Sequence, residues 1–259
     1  MDLIAEAGSC HDGDLQKAKS LIWTAKHAGA NAVKFQYWSD SEELGRRRRL
    51  RGTNYEPYRV PLHWLDDLKT ETERVGLEFL CTAYLPQDVQ VVARYVQRFK
   101  VSSFEAMDVD LLDACLSYER PVLVSFGMME WAEVENWGHE YDSDQITKLL
   151  CVSAYPCPLE DSNLCFLSNG CGGGWFHGYS DHTGNPLTGA MAVAKGAKIL
   201  EVHFRLEETR PDNPDYPHSL KPSALEAYIW NVQTAERLMT PHQTKVRDSE
   251  RANREHRVK

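Results

Sequence analysis

Two lysines, two histidines and a series of hydroxyl residues recur at one kind of position in this sequence, the polar end of a short apolar run. In NAVKFQ, from Asn31, Lys34 and Gln36 share one face of a strand while Val33 and Phe35 share the other. Lys100 holds the matching place in KVSSFE. Inward-turned ammonium groups need a fixed counter-charge, which a bound phosphate or carboxylate would supply; for either lysine alone, snorkelling to solvent is the commoner alternative. Thr82, Ser103, Ser125 and Ser180 stand on neighbouring strand ends and are hydroxyl donors of the kind phosphate oxygens accept. Ser153 closes a further run of the same type. Together they describe an anion site.

His182, in GYSDHTG, and His203, in LEVHF, follow consecutive predicted strands. Two imidazoles on adjacent strand ends suit a divalent metal with open positions for water and substrate oxygens, and this reading is preferred to a pair of satisfied core histidines. Soft ligation is not expected, because no cysteine shares this rim at useful spacing. Among the carboxylates, Glu105 can serve as general acid or base over a bound anion or cap the helix that begins near Asp108. Glu6 ends the first strand, where it can hold a water or pair with Lys34 or Lys100; Cys10 and His11 just beyond it are read as structural or substrate-shaping.

Eight strand segments carry these residues: LIAEAG, NAVKFQ, LEFLCTA, RFKVSS, PVLVSF, LLCVSA, WFHGYS and KILEVHF. Amphipathic segments such as DLQKAKSLIWTAKHAG, PLHWLDDLKTETERVG, LPQDVQVVARYVQ, DVDLLDACLSY, PLTGAMAVAKGA and PSALEAYIWNVQTAERLM alternate with them. After the sixth strand, SNLCFLSNGCGGG offers only one or two helical turns. The alternation predicts an α/β fold, either an open doubly wound sheet or a (β/α)8 TIM barrel. Nearly every strand contributes a polar residue at its C-terminal end, which favours the single closed barrel over one switch point. The barrel is placed at 1–240 and a charged tail at 241–259. The long second loop contains RRRRLR, Arg46 to Arg51, ordinarily a solvated surface but, in a loop that can approach the rim, also able to recruit an anionic substrate.

The 259 residues are 42% hydrophobic and 26% charged, with a formal charge of −9. That balance predicts a soluble protein with a sizeable core and argues against general binding to nucleic acid or membrane. Seven cysteines without CxxC pairs suggest neither a disulfide framework nor a zinc ribbon, and a reducing, cytoplasmic setting is expected.

The motifs resemble the N-acetylneuraminate (sialic acid) synthase family, which condenses phosphoenolpyruvate with an acylamino sugar. The resemblance is carried by IAEAGSCHDGDLQKAKSLIWTAKHAGANAVKFQ, EFLCTAY, KVSSFE, PVLVSFGM, CVSAYPCPLEDSNL, GYSDHTG and EVHF, in order from about Leu3 to Met239. It implies that Lys34, Thr82, Lys100, Ser103, Ser125, Ser153 and Ser180 hold phosphoenolpyruvate, with Ser153 where members often carry Asn. It implies Mn²⁺ or Mg²⁺ on His182 and His203, Glu105 as the catalytic carboxylate and Glu6 as an acidic group beside the metal. Gln36, Tyr155, Asp215 and Asn54 fall on acceptor-contacting positions. No segment matches the family's C-terminal antifreeze-like domain. The expected partners are therefore a second copy in a homodimer or a separate antifreeze-like subunit, and Arg46 to Arg51 are expected to replace that domain's arginine toward an unusual or anionic acceptor. The implied product is a nonulosonic acid. The alternatives are condensation with a different or phosphorylated acceptor, or an inactive barrel acting as a binding subunit.

Overall fold

A computed structural model of the chain describes residues 1–50, 54–141, 143–167, 175–241, 246–254 and 256–258. The eight expected runs form parallel strands: β1 (Asp2–Glu6), β2 (Ala32–Tyr37), β3 (Glu78–Ala83), β4 (Phe99–Val101), β5 (Val122–Phe126), β6 (Ile146–Cys151), β7 (Gly178–Asp181) and β8 (Ile199–His203). They make one sheet in the order β3-β2-β1-β8-β7-β6-β5-β4. β3 and β4 also lie in contact, so the sheet curls into a nearly closed (β/α)8 barrel whose one seam, among the described residues, carries no ladder.

Side-chain alternation divides the strands into two faces. Val33, Phe35, Phe79, Val124 and Val202 point outward into the large core beneath the helices. Ile4, Ala32, Leu80, Leu123 and Leu149 point inward, with Ile199 packed against them. Two residues further along the same strands stand Glu6, Lys34, Thr82, Ser125, Cys151 and Glu201. The interior is thus an apolar plug below a polar layer, and the polar layer faces the C-terminal ends.

The helices are α1 (Leu15–Ala28), α2 (Ser41–Arg47), α3 (Leu65–Arg74), α4 (Val89–Val92), α5 (Val109–Leu116), α6 (Trp131–Glu140), α7 (Thr188–Ala194), α8 (Pro222–Met239) and α9 (Asp248–Arg254). Asp14 caps α1 through the Gln16 and Lys17 amides, and Gly29 ends it at φ 93°. Asp108, not Glu105, caps α5, by accepting from the Leu111 amide. Three elements differ from the sequence reading. LPQDVQVVARYVQ gives only the short α4, consistent with β-branched Val89, Val91 and Val92 losing side-chain freedom in a helix. α6 was missed, although Glu130 and Glu133 form a capping box before buried Val134 and Trp137. The charged tail, for which no helix was expected, carries the separate α9. After β6 the described residues show only 3₁₀ turns at Leu159–Asp161 and Leu164–Leu167.

Candidate active site

Register brings the charged residues together: Glu6 pairs with Lys34 across β1–β2 and with His203 across β1–β8. Lys34 Nζ lies 2.7 Å from Glu6 Oε2 and 3.6 Å from Glu201 Oε2, and donates to Thr82 Oγ1 at 3.0 Å. Lys100 Nζ lies 3.4 Å from Glu201 Oε1, which also accepts from Ser180 Oγ at 3.0 Å. Gln36 Nε2 donates to Glu6 Oε1 at 2.6 Å. None of the four ionic side chains is more than 4% exposed. The counter-charge that the sequence reading sought only in Glu6 or a ligand is therefore also supplied by Glu201. That reading overlooked it, although it stands two residues before His203 on the same strand face.

Burial sets the electrostatics of this layer, and the neighbours modify it. Burial pushes Glu6 above its ordinary value despite Lys34. Burial also opposes the Glu201 charge, yet Lys100 and Lys34 outweigh it and hold that carboxyl well below its ordinary value. Lys34 is raised because the Glu201 and Glu6 charges overcome burial, whereas burial wins at Lys100 and lowers it.

The hydroxyls divide by role. Ser125 Oγ is buried with no hydrogen-bond partner, and it lines a cavity of about 310 Å³ with Lys34, Lys100, Ser103, Ser180 and His203. Ser153 Oγ is bonded to Ser103 Oγ at 2.7 Å. Thr82 is fully buried beside Lys34 and does not line the cavity.

Opposite the lysines lie three imidazoles. The His182 and His203 ring centroids are 5.4 Å apart, and those of His203 and His218 are 4.6 Å apart. Tyr155 packs against His182 at 4.3 Å and His218 at 5.0 Å. His182 Nδ1 bonds to the Val152 carbonyl at 2.8 Å, which fixes its ring. Burial holds His203 well below its ordinary value and pushes His218 down to about 3, so their lone pairs are free near neutral pH. His203 Nδ1 and both His218 nitrogens are buried without partners. Neutral imidazoles with orphaned nitrogens fit a divalent metal.

The acceptor positions are less uniform. Gln36, Tyr155 and Asp215 line the cavity; Asp215 Oδ2 is held by the Ser9 amide at 2.6 Å and by Ser9 Oγ at 2.8 Å. Asn54 is exposed, accepts from the Glu56 amide at 3.1 Å and does not line the cavity. Glu105, expected as the catalytic carboxylate, does not line the cavity, although its neighbour Phe104 does; it is bonded to Ser102 Oγ and at 2.8 Å to Arg48 Nε. Arg48 lines the cavity and stacks over Tyr84 and Phe104, 4.8 Å from each ring. Arg46 and Arg47 are paired with Glu43, and Arg47 also with Asp108, so with Arg48 on Glu105 three arginines of the run each meet a carboxylate. Arg51 lies outside the described residues. A cysteine does share this rim, contrary to expectation: Cys151 lines the cavity with Sγ 3.6 Å from His182 Nδ1. Alternation places it inward two residues before Ser153, a position the sequence reading passed over.

Residues 21–244 match the NeuB family. The chain belongs to that family. It is 31% identical to N,N'-diacetyllegionaminic acid synthase of Legionella pneumophila, over 96% of this chain and 76% of that protein. It is 30% identical to pseudaminic acid synthase of Campylobacter jejuni, over 90% of this chain and 73% of that one. The crystal structure of N-acetylneuraminic acid (sialic acid) synthetase from Leptospira borgpetersenii, in complex with citrate, superposes with a TM-score of 0.86 at 26% identity, covering 98% of this chain and 90% of that one. The resemblance read from the motifs is thereby borne out at the level of family and fold. No helix among the described residues is long and apolar enough to cross a membrane.

Proposed function

We propose that this NeuB-family barrel condenses phosphoenolpyruvate with an aldehydic acylamino sugar, giving a nonulosonic acid and phosphate. The observation that carries the reading is that Lys34, Lys100 and the unpartnered Ser125 face the same small cavity as His182 and His203. An enol phosphate needs cations and hydroxyls at its anionic end. The sugar aldehyde needs an electrophilic partner beside it, and a divalent ion held by His182 and His203 would supply Lewis acidity there.

The residues of the chain do the remaining work. Lys100, Ser125, Ser103 and Ser180 hold the phosphate and carboxylate so that C3 faces the aldehyde carbon, replacing a random encounter by a fixed geometry. C3 forms the new C–C bond, water adds to C2, and phosphate leaves by cleavage of the C2–O bond. The proton released as water adds to C2 passes by way of Glu105 to the aldehyde oxygen, and Glu6, fixed by Gln36, orients the water. Gln36, Tyr155 and Asp215 contact the sugar hydroxyls. The carboxylate partners of Arg46, Arg47 and Arg48 favour an uncharged acceptor over a phosphorylated one.

Phosphate release from phosphoenolpyruvate with Mn²⁺ is the test, across N-acetylmannosamine, related acylamino sugars and aldose phosphates. An acylamino sugar is expected to be the best acceptor, with ¹⁸O from labelled water entering the keto acid and not the phosphate. No release with any acceptor, together with no heat of phosphoenolpyruvate binding, would reject the reading in favour of an inactive barrel.

A further inference from the structure

We infer that His218 selects the acceptor: with Asp215 it brackets one hydroxyl of the sugar, the imidazole donating to that oxygen and the carboxylate accepting its proton. The inference deepens the proposed function and rests on it for the identity of the acceptor; the bracket itself follows from geometry. His218 is 2% exposed, and its ring is enclosed by those of His203 at 4.6 Å, Tyr155 at 5.0 Å and His182 at 6.3 Å. Neither of its nitrogens has a hydrogen-bond partner. An apolar ring would fill this space without leaving buried polar atoms unsatisfied, so a histidine here calls for an occupant of the cavity it lines. With the ion assigned to His182 and His203, that occupant is substrate.

The neighbours determine which part of the substrate it meets. Asp215 Oδ1 stands 3.6 Å from His218 Nε2, beyond a direct hydrogen bond, yet both atoms can reach one oxygen set between them at about 2.7–3.0 Å. The carboxylate repels an anion, so neither charged group of phosphoenolpyruvate fits this gap. A hydroxyl does, because it donates one proton and accepts another. The pair is held in place: Asp215 Oδ2 is fixed by the Ser9 amide and hydroxyl, and the Asp215 carbonyl accepts from the Ser219 amide at 3.1 Å. The 3₁₀ turn Tyr216–His218 that joins them is stiffened by Pro217. A site built to hydrogen-bond a hydroxyl rejects the analogue that lacks it, since its own buried groups are then left unpaired. His218 therefore sets which sugar is taken, not how phosphoenolpyruvate is held.

The test is binding of N-acetylmannosamine and its mono-deoxy analogues to the full chain, followed by saturation-transfer NMR with inorganic phosphate present. The wild type is expected to bind one mono-deoxy analogue about 10-fold more weakly than N-acetylmannosamine. In His218→Phe and His218→Ala that penalty should fall at least about 3-fold, with the penalties at the other positions unchanged. His218→Gln, which keeps a donor, should retain part of it. Equal penalties in the wild type and the folded variants overturn the inference, as does a wild type that binds all the sugars alike or none of them. Should no variant fold, a crystal structure of the wild-type chain soaked with N-acetylmannosamine decides. One sugar oxygen within hydrogen-bond distance of both Asp215 Oδ1 and His218 Nε2 supports the inference; a bound sugar that leaves His218 untouched overturns it. Phosphate release is scored separately, so sugar binding with this signature but without turnover rejects the condensation and leaves the bracket standing.

Discussion

Replacing Glu201 by glutamine leaves two buried ammonium groups with Glu6 alone as a carboxylate partner. Breaking such a buried network by removing one partner costs about 3–5 kcal/mol. The urea midpoint of Glu201→Gln should fall accordingly, and added phosphate should restore part of it by supplying the lost negative charge. At the rim, Arg48→Ala removes both the partner of Glu105 and the cation stacked on Tyr84 and Phe104. It is expected to raise acceptor KM about 10-fold, a loss of about 1.4 kcal/mol, with the phosphoenolpyruvate KM little changed. Steady-state kinetics varying each substrate in turn checks it. Residues on strands were legible at this scale: alternation alone placed Lys34, Gln36, Lys100 and Ser125 inward. The same rule places Glu201 and Cys151 inward, two residues from His203 and Ser153. His218 and Arg48 were less accessible to it, since a 3₁₀ turn and a loop-borne helix place them.

The loop joining β1 to α1 is bound to the loop following β8, and two substitutions probe that seam. Gly8 has φ +51°, and a Cβ there would collide with Asp215 Oδ2. Gly8→Ala is therefore expected to cost about 1–3 kcal/mol and to shift Asp215, seen as a lower melting temperature with a raised acceptor KM. Three residues on, His11 is fully buried and accepts from the Gly13 amide at 3.0 Å. Burial pulls its ring from 6.5 down to about 4, against the Tyr58 backbone and the Asp12 charge. Between these values the unfolded chain binds the extra proton, so stability falls as pH falls from about 6.5 to 4, by on the order of 3 kcal/mol. Denaturant titrations across that range should show the slope, and His11→Asn, which keeps an acceptor for Gly13, should remove it. Helix boundaries were readable where caps were strong, as at Asp14 and Gly29. α6 escaped because its core face is only Val134, Trp137 and Gly138, too sparse a stripe to read as a full helical unit.

For the molecule as a whole, the apolar plug and the polar layer are separate levers on stability and chemistry. Leu123→Ala in the plug should cost about 2–5 kcal/mol in urea unfolding, while kcat of the folded fraction stays near wild type. The fold was legible because β1, β2, β3, β5, β6 and β8 repeat one pattern, an apolar inward residue and then, two places on, a residue of the upper layer. The seam was not, since ladder formation at β3–β4 depends on how far a three-residue β4 reaches. Amide exchange along the facing edges of β3 and β4 should accordingly outpace that along β1 and β8, whose five-residue register is complete.

Because Ile4, Leu80, Leu123 and Leu149 stop the lower end, the chamber is a cul-de-sac: molecules must queue at one door. The lysines lie at its back, whereas Tyr155 near the front is 39% exposed. Whatever occupies the back must arrive before the front is filled, and a sugar analogue that cannot react would trap it there. Such an analogue should inhibit uncompetitively against phosphoenolpyruvate, the kinetic imprint of a vessel with a single opening.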